Sequence, residues 1–465
     1  MSDEKRASAA AARTGDGTDQ ANTLVPVPRY HIKGKLYYKR LWDYNTANNT
    51  EKFKEYLPSA KIELHLQLRG RATFDKVGAA SALSEEGEFE FADVPACVKI
   101  GLKIYLDNKN DITRVKGNEN LVNKPDYQVK RGQVIWRRIE LDIKKIEDAV
   151  SAEIDFGDVE IKPTTETDAD FASICDTYKT IWRGHNWIRE KAGHKLSVCP
   201  VNYPVRTISY HSGGELYLLP GDLKDADVVL HEYGHYIGHE MLGGLTHPGY
   251  GYNDDAAGQH GPNSDEHYES AWNEGHATFL ACAISDDPIY HDGYDSNLTM
   301  NLKTDNITRG PHCEGSIQCG LWDMHKAQAI DFKAGFWAAF KRTARKADTI
   351  FSFYENWKDA GCPDIAKLKA ALTKFNLHIG YTYTRRLKHG TTALDPAAPT
   401  EFRTIDELYD AYGKVAGGTL ASYREELYNR NQYVGGGLFA GGATLSSFNF
   451  VIGTTYIVPE RFEIT

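Results

Sequence analysis

The sequence predicts a multidomain chain: an N-terminal all-β sandwich followed by a mainly α (α+β) domain. Three observations predict it. Between Lys33 and about Ile161, apolar residues recur at every second position. Beyond Phe171 they recur at helical spacing. Within that helical part lies His231-Glu232-Tyr233-Gly234-His235, set in the apolar run VVLHEYGHYI.

The elements follow in order. Residues 1–29 are rich in Ala, Asp, Thr and Gly and are expected to be disordered. In KIELHLQLRG, Ile62, Leu64, Leu66 and Leu68 alternate with Glu63, His65, Gln67 and Arg69. In CVKIGLKIYL, Val98, Ile100, Leu102, Ile104 and Leu106 do the same. KGKLYY, EFEFADV, IELDI and DVEI are further short candidates, separated by Gly, Asp, Asn and Pro. Many short strands with turn signals between them read as a sandwich over 30–162. A helix follows, with Phe171, Ile174, Cys175, Tyr178, Ile181 and Trp182 on its packing face and Gly193 as its stop. ISYHSGGELYLLPG reads as two short strands around Gly213-Gly214. The HEYGH helix comes next, capped by Asp225 or Asp227 and ended by Gly243-Gly244. A polar, Gly-rich stretch over 245–265 leads to a second helix beginning near Ser264. FWAAFKRTARKA and ENWKDAGCPDIAKLKAALTKF predict more helices. The second domain is bounded at 163–380. Residues 381–465 form a C-terminal extension, combining a helix in IDELYDAYGKV with the Gly-rich GGGLFAGGATL, and no chemistry is read there.

Composition narrows the function. A net charge of -10 with no basic block argues against nucleic acid as a partner. No run approaches the roughly 18 apolar residues of a membrane span. The seven cysteines form no CxxC pair and read as free thiols. The first residues lack the apolar core of a secretory signal, so the expectation is a cytoplasmic chain, with non-classical export as the alternative.

HEYGH carries the chemistry. Residues four apart share a helix face, so two imidazoles can converge on one ion with Glu232 beside them. Zinc held by such a set lowers the pKa of a water to about 7 and polarises a carbonyl. A catalytic zinc needs a third protein ligand. A histidine ten residues after the first would make a metzincin, but that position is Met241. His239 lies two turns along, a rise of about 12 Å, and is assigned to packing. Glu274, in ESAWNEGHATFLACA, is the preferred third ligand. Small Ala271 and Ala277 let its helix approach closely, and a carboxylate among Trp272, Phe279 and Leu280 needs a partner. Glu269 and His276 are the fallbacks. His312 is the candidate donor to a developing oxyanion, with Asp305 to orient it and Tyr250 and Tyr252 as rivals. Asp254 and Asp255 are the candidate carboxylates for a calcium ion, which their spacing does not support.

HExxH followed by NExxA on a second helix resembles the gluzincins, the thermolysin-like class of zinc peptidases. HEYGH with NEGHATF is particularly similar to fungalysin-like members, over about residues 205–330. The resemblance implies a zincin-like catalytic domain. It also implies one catalytic Zn²⁺ on His231, His235 and Glu274, with Glu232 as general base. Gly310-Pro311-His312 before Gly315-Ser316-Ile317 is similar to the segment that supplies these enzymes' oxyanion histidine, and Leu321-Trp322-Asp323 resembles a fungalysin-like helix. Two departures stand out. The gap between His235 and Glu274 is 38 residues, longer than in thermolysin, and Thr278 stands where an orienting Asp is usual. GEFEFADVP resembles the hairpin of transthyretin-like or carboxypeptidase-regulatory-like domains, which implies a binding or spacing role for a partner or glycan.

The functional expectation is a zinc metallopeptidase acting on peptide or protein substrates. The absence of a GxMEN exopeptidase signal favours endopeptidase action. The rivals are a binding protein with a vestigial or structural zinc site, and a narrow-specificity amidase or self-processing protease.

Overall fold

A computed structural model describes residues 28–40, 53–108, 112–118, 130–144, 151–162, 171–243, 261–293, 298–342, 347–414, 418–433, 444 and 448–464. The expected disorder at the N-terminus, Tyr250, Tyr252, Asp254, Asp255 and most of the Gly-rich segment near 440 lie outside these residues.

The chain begins with a β-rich region. Its strands are β1 (Arg29–Arg40), β2 (Phe53–Tyr56), β3 (Ala60–Gln67), β4 (Asp75–Ala82), β5 (Glu88–Pro95), β6 (Lys99–Asn108), β7 (Thr113–Gly117), β8 (Trp136–Leu141) and β9 (Glu153–Glu160). β1 is the centre of one sheet. β2 and β5 pair antiparallel with it along one edge, and β9 pairs parallel along the other. A second sheet carries β3 between β4 and β6, with β8 also on β6. Alternation drives burial: Ile62, Leu66, Ile100, Leu102, Ile104 and Leu106 are wholly buried. Val98 departs from the expected pattern: it precedes β6 and is exposed. Glu63 breaks the alternation on β3. It is nearly buried because Lys76 and Tyr105 donate to its carboxylate from the neighbouring strands.

Helix α1 (Phe171–Ala192) follows, buried through Phe171, Ile174, Cys175, Tyr178 and Ile181, and Gly193 terminates it at φ 65°. Three short strands come next: β10 (Cys199–Tyr203), β11 (Tyr210–Ser212) and β12 (Glu215–Tyr217). They extend the second sheet. β10 pairs parallel with β7, Val201 opposite Val115, and the strand order runs β11-β12-β10-β7-β6-β3-β4. Strand pairing thus crosses from before residue 162 to after it.

The remainder is mainly helical. Helix α2 (Ala226–Leu242) carries HEYGH; Asp225 caps it by accepting from the Asp227 and Val228 amides, and Gly243 closes it at φ 70°. Helix α3 (Tyr268–Ser285) carries NEGHATF and starts one turn later than the sequence suggests, because Ser264 is held in a turn with Gly261. Strands β13 (Ile289–Asp292) and β14 (Leu298–Asn301) form a hairpin ladder. Helices α4 (Glu314–Trp322), α5 (Ile350–Asp359) and α6 (Ile365–Lys374) pack around α3 and its neighbours. FWAAFKRTARKA is not one regular helix: Lys333–Trp337 takes a wider π turn that sends Phe336 and Trp337 inward, and the α segment after it ends at Phe340. The C-terminal extension holds a sheet that sequence reading missed. β15 (Ile379–His389) pairs antiparallel with β17 (Thr455–Glu463) and parallel with β16 (Glu401–Phe402), and helix α7 (Leu420–Tyr433) lies against it.

Gly87, in the turn before β5, has φ 75°, and a Cβ there would meet the Leu36 carbonyl oxygen at 2.7 Å. Gly87→Ala should lower stability by about 1–3 kcal/mol. Urea unfolding checks this; an unchanged midpoint would contradict the register of β5 on β1.

Candidate metal centre

Two helices build the site by approaching closely. A Cβ on Gly234 of α2 would meet the Ala277 Cα at 2.7 Å and its carbonyl at 2.9 Å. Glycine here lets the α2 and α3 backbones come almost into contact. The expectation of small residues on α3 is met at Ala277, and its counterpart on α2 is Gly234.

This approach brings three side chains together. His231 Nε2 and His235 Nε2 each lie 3.1 Å from Glu274 Oε2, and 3.1 Å from each other. Hydrogen bonds alone cannot satisfy this triangle. If both imidazoles donate to the carboxylate, their two N–H groups confront each other along the third side. A cation at the centre satisfies all three lone pairs. Ligand bonds of about 2.0 Å in a tetrahedron give edges of roughly 3.3 Å, close to the spacing seen. Among the described residues this is the one group of three or more His, Cys, Asp or Glu placed to hold a metal ion. The two-imidazole, one-carboxylate set leaves a fourth position open and suits zinc.

The surroundings fix the ligands. Thr278 Oγ1 lies 3.0 Å from His231 Nδ1. With Nδ1–H donating to that hydroxyl, Nε2 presents its lone pair to the ion. Thr278 therefore holds the imidazole from the position where the resembling enzymes carry an Asp. Glu232 is buried on α2 next to His231, and the ring of the buried Tyr290 lies 5.9 Å from that of His231. His211 of β11 faces α2, its ring 6.5 Å from His235 and 5.3 Å from His239. Sequence reading named neither Tyr290 nor His211, since no spacing links β11 or β13 to the motif.

The other candidates have other work. His239 lies beside the Gly213-Gly214 turn, outside the trio. Glu269 receives both guanidinium nitrogens of Arg430. His276 donates from Nδ1 to the Trp272 carbonyl at 2.7 Å, and burial pulls its pKa down to about 3. A neutral His276 adds no positive charge beside the trio. His312 lies before α4, its ring 3.9 Å from that of Tyr268. Its Nδ1 is 3.2 Å from the Glu266 carbonyl and its Nε2 3.7 Å from Glu426. Burial lowers its pKa to about 4. Asp305 accepts from the Asn301 amide, so it stabilises the turn after β14.

A methyl on Gly234 would press on backbone, where overpacking costs about 1–3 kcal/mol. That exceeds the gain in helix propensity of about 1 kcal/mol. Gly234→Ala should therefore lower the melting temperature and weaken zinc affinity together. Calorimetry and chelator competition on the same protein check it; unchanged zinc affinity would show that helix spacing does not set the site.

Two solved structures align with parts of the chain. One is a 9R-lipoxygenase from Cyanothece PCC8801, at 12% identity over 35% of this chain and 24% of that one, with a TM-score of 0.16. The other is the major plantain pollen allergen Pla l 1, at 12% identity over 28% of this chain and 91% of that one, with a TM-score of 0.17. Neither score supports a shared fold. No curated protein matches the chain. Residues 207–373 match the model of the Mycolysin C-terminal domain, and the trio lies wholly within that span. That region is similar to the mycolysin family, whose members are zinc metalloproteases.

Proposed function

We propose that the chain is a zinc metallopeptidase that cleaves within polypeptide chains. One observation carries the reading: two imidazole nitrogens and a carboxylate oxygen stand 3.1 Å apart with a buried glutamate next in sequence to the first histidine. The match of residues 207–373 to the Mycolysin C-terminal domain supports it.

His231, His235 and Glu274 would hold the ion. A zinc ion bound there supplies Lewis acidity, acidifying a water and polarising the scissile carbonyl. Glu232 accepts a proton from the attacking water and returns it to the leaving amine. Its burial keeps that proton from exchanging freely with solvent. The oxyanion needs an N–H or O–H donor on the open side of the trio. His312 suits this role poorly. Its Nδ1 lies against the Glu266 carbonyl and its Nε2 faces the Glu426 carboxylate at 3.7 Å, so both ring nitrogens have other partners. We assign the role to His211, which approaches His235 from the terminal strand of the sheet. The β-rich region over 30–162 is assigned a sandwich of transthyretin-like type, with a binding or spacing role and no part in the chemistry.

Glu232→Gln should reduce peptide hydrolysis by at least about 10³-fold while zinc stays bound stoichiometrically. Casein cleavage and metal analysis check it, and a variant as active as wild type would refute the mechanism. His211→Ala should lower kcat by about 10²-fold with little change in KM. His312→Ala is expected to leave kcat within a few-fold; the reverse ranking in steady-state kinetics would return the oxyanion role to His312.

A further inference from the structure

The C-terminal region beyond residue 373 lies outside the matched domain, yet it reaches the helix that carries Glu274. Arg430 of α7 extends a two-pronged guanidinium to Glu269 in the first turn of α3. Nη1 lies 2.7 Å from Oε2, and Nη2 bonds Oε1. Both side chains are more than nine-tenths buried. Burying two charges is costly, and only a well-formed fork offsets it. A pair of this kind is a weak source of stability but a strong geometric restraint.

Arg430 is itself firmly placed. The next residue, Asn431, exchanges two hydrogen bonds with Ile457 of β17: its Nδ2 donates to the carbonyl at 2.8 Å, and its Oδ1 accepts from the amide at 2.7 Å. Tyr423 of α7 donates to the Pro459 carbonyl. The path therefore runs from β17 through α7 and Arg430 to Glu269, and along α3 to Glu274 five residues later.

What α3 needs is resistance to turning about its axis. A side-chain atom sits about 5–6 Å from a helix axis, so a 20° turn moves it by about 2 Å. That equals a whole metal–oxygen bond. Apart from the Thr278–His231 hydrogen bond at 3.0 Å and the Arg183 bond to Ser285 at the far end, the other neighbours of α3 are largely apolar: Ala277 against Gly234, and Trp272 against Phe353 at 5.1 Å. Such contacts are non-directional. The fork is directional.

We propose that Arg430 is a positioning residue for the metal site: by holding Glu269 it sets the rotation of α3, and with it the reach of Glu274 toward His231 and His235. The C-terminal region thereby completes the site. This rests on the reading of the trio as a zinc site.

The test measures zinc affinity of the full chain by chelator competition, with folding followed by circular dichroism. The proteins are wild type, Arg430→Met, Glu274→Gln and the double variant. Arg430→Lys serves in both backgrounds should Arg430→Met fail to fold. Replacing Arg430 should weaken zinc about tenfold or more when Glu274 is present. It should change nothing once Glu274 is Gln, because the ligand being positioned is gone. Unchanged affinity in the wild-type background overturns the proposal. So does an equal loss in both backgrounds, which would mark a general stabilising role. A wild-type chain that binds no zinc removes the metal-site reading itself, an outcome separate from the other two.

Discussion

The contact between Gly234 and Ala277 is the constraint on which the site depends. A metal ion held by these three side chains would tolerate errors of only a few tenths of an ångström in its bonds. Two of its donors lie on α2 and one on α3. The separation of the helices therefore has to be set by something stiffer than side-chain packing. Backbone against backbone, with no Cβ between, supplies that stiffness. Close packing also surrounds Glu274 and Glu232 with protein, where a charge acts over a lower dielectric than in water.

The polar groups around this contact are arranged so that the trio is left as the place for a positive charge. Thr278 takes the outer nitrogen of His231. His276 is bonded to the Trp272 carbonyl and held neutral by burial, so it does not compete electrostatically with a cation. The remaining carboxylate at the start of α3, Glu269, is matched by Arg430. A cation at the trio would answer the Glu274 charge at the point where the two imidazoles meet.

The β-rich region is joined to the same construction. β7 pairs with β10, and β10 with β12, so one continuous sheet leads from the first hundred residues to the strand that presents His211 to α2. Backbone hydrogen bonds, rather than side-chain contacts alone, tie the two regions together.

The sequence by itself determined the elements whose signal is local. Period-two alternation in β3 and β6 names their buried faces, because successive side chains of a strand point to opposite sides. The i, i+4 spacing of His231 and His235 places them on one helix face without knowledge of the rest. Glu274 was legible for a similar reason: an apolar helix with small residues has little use for a carboxylate except at a partner. Tertiary structure alone decided what lies between distant segments. Gly234 stands out only once Ala277 lies against it. His211 and Tyr290 reach the motif through sheet order and a hairpin, which leave no spacing to read. β15 and β17 pair across some 70 residues, so the short apolar run in TYIVPERFE had no visible partner. The Arg430–Glu269 fork joins residues 161 apart in sequence. Periodicity reports which face of an element is buried; which elements meet is fixed by packing, and only the folded chain supplies that.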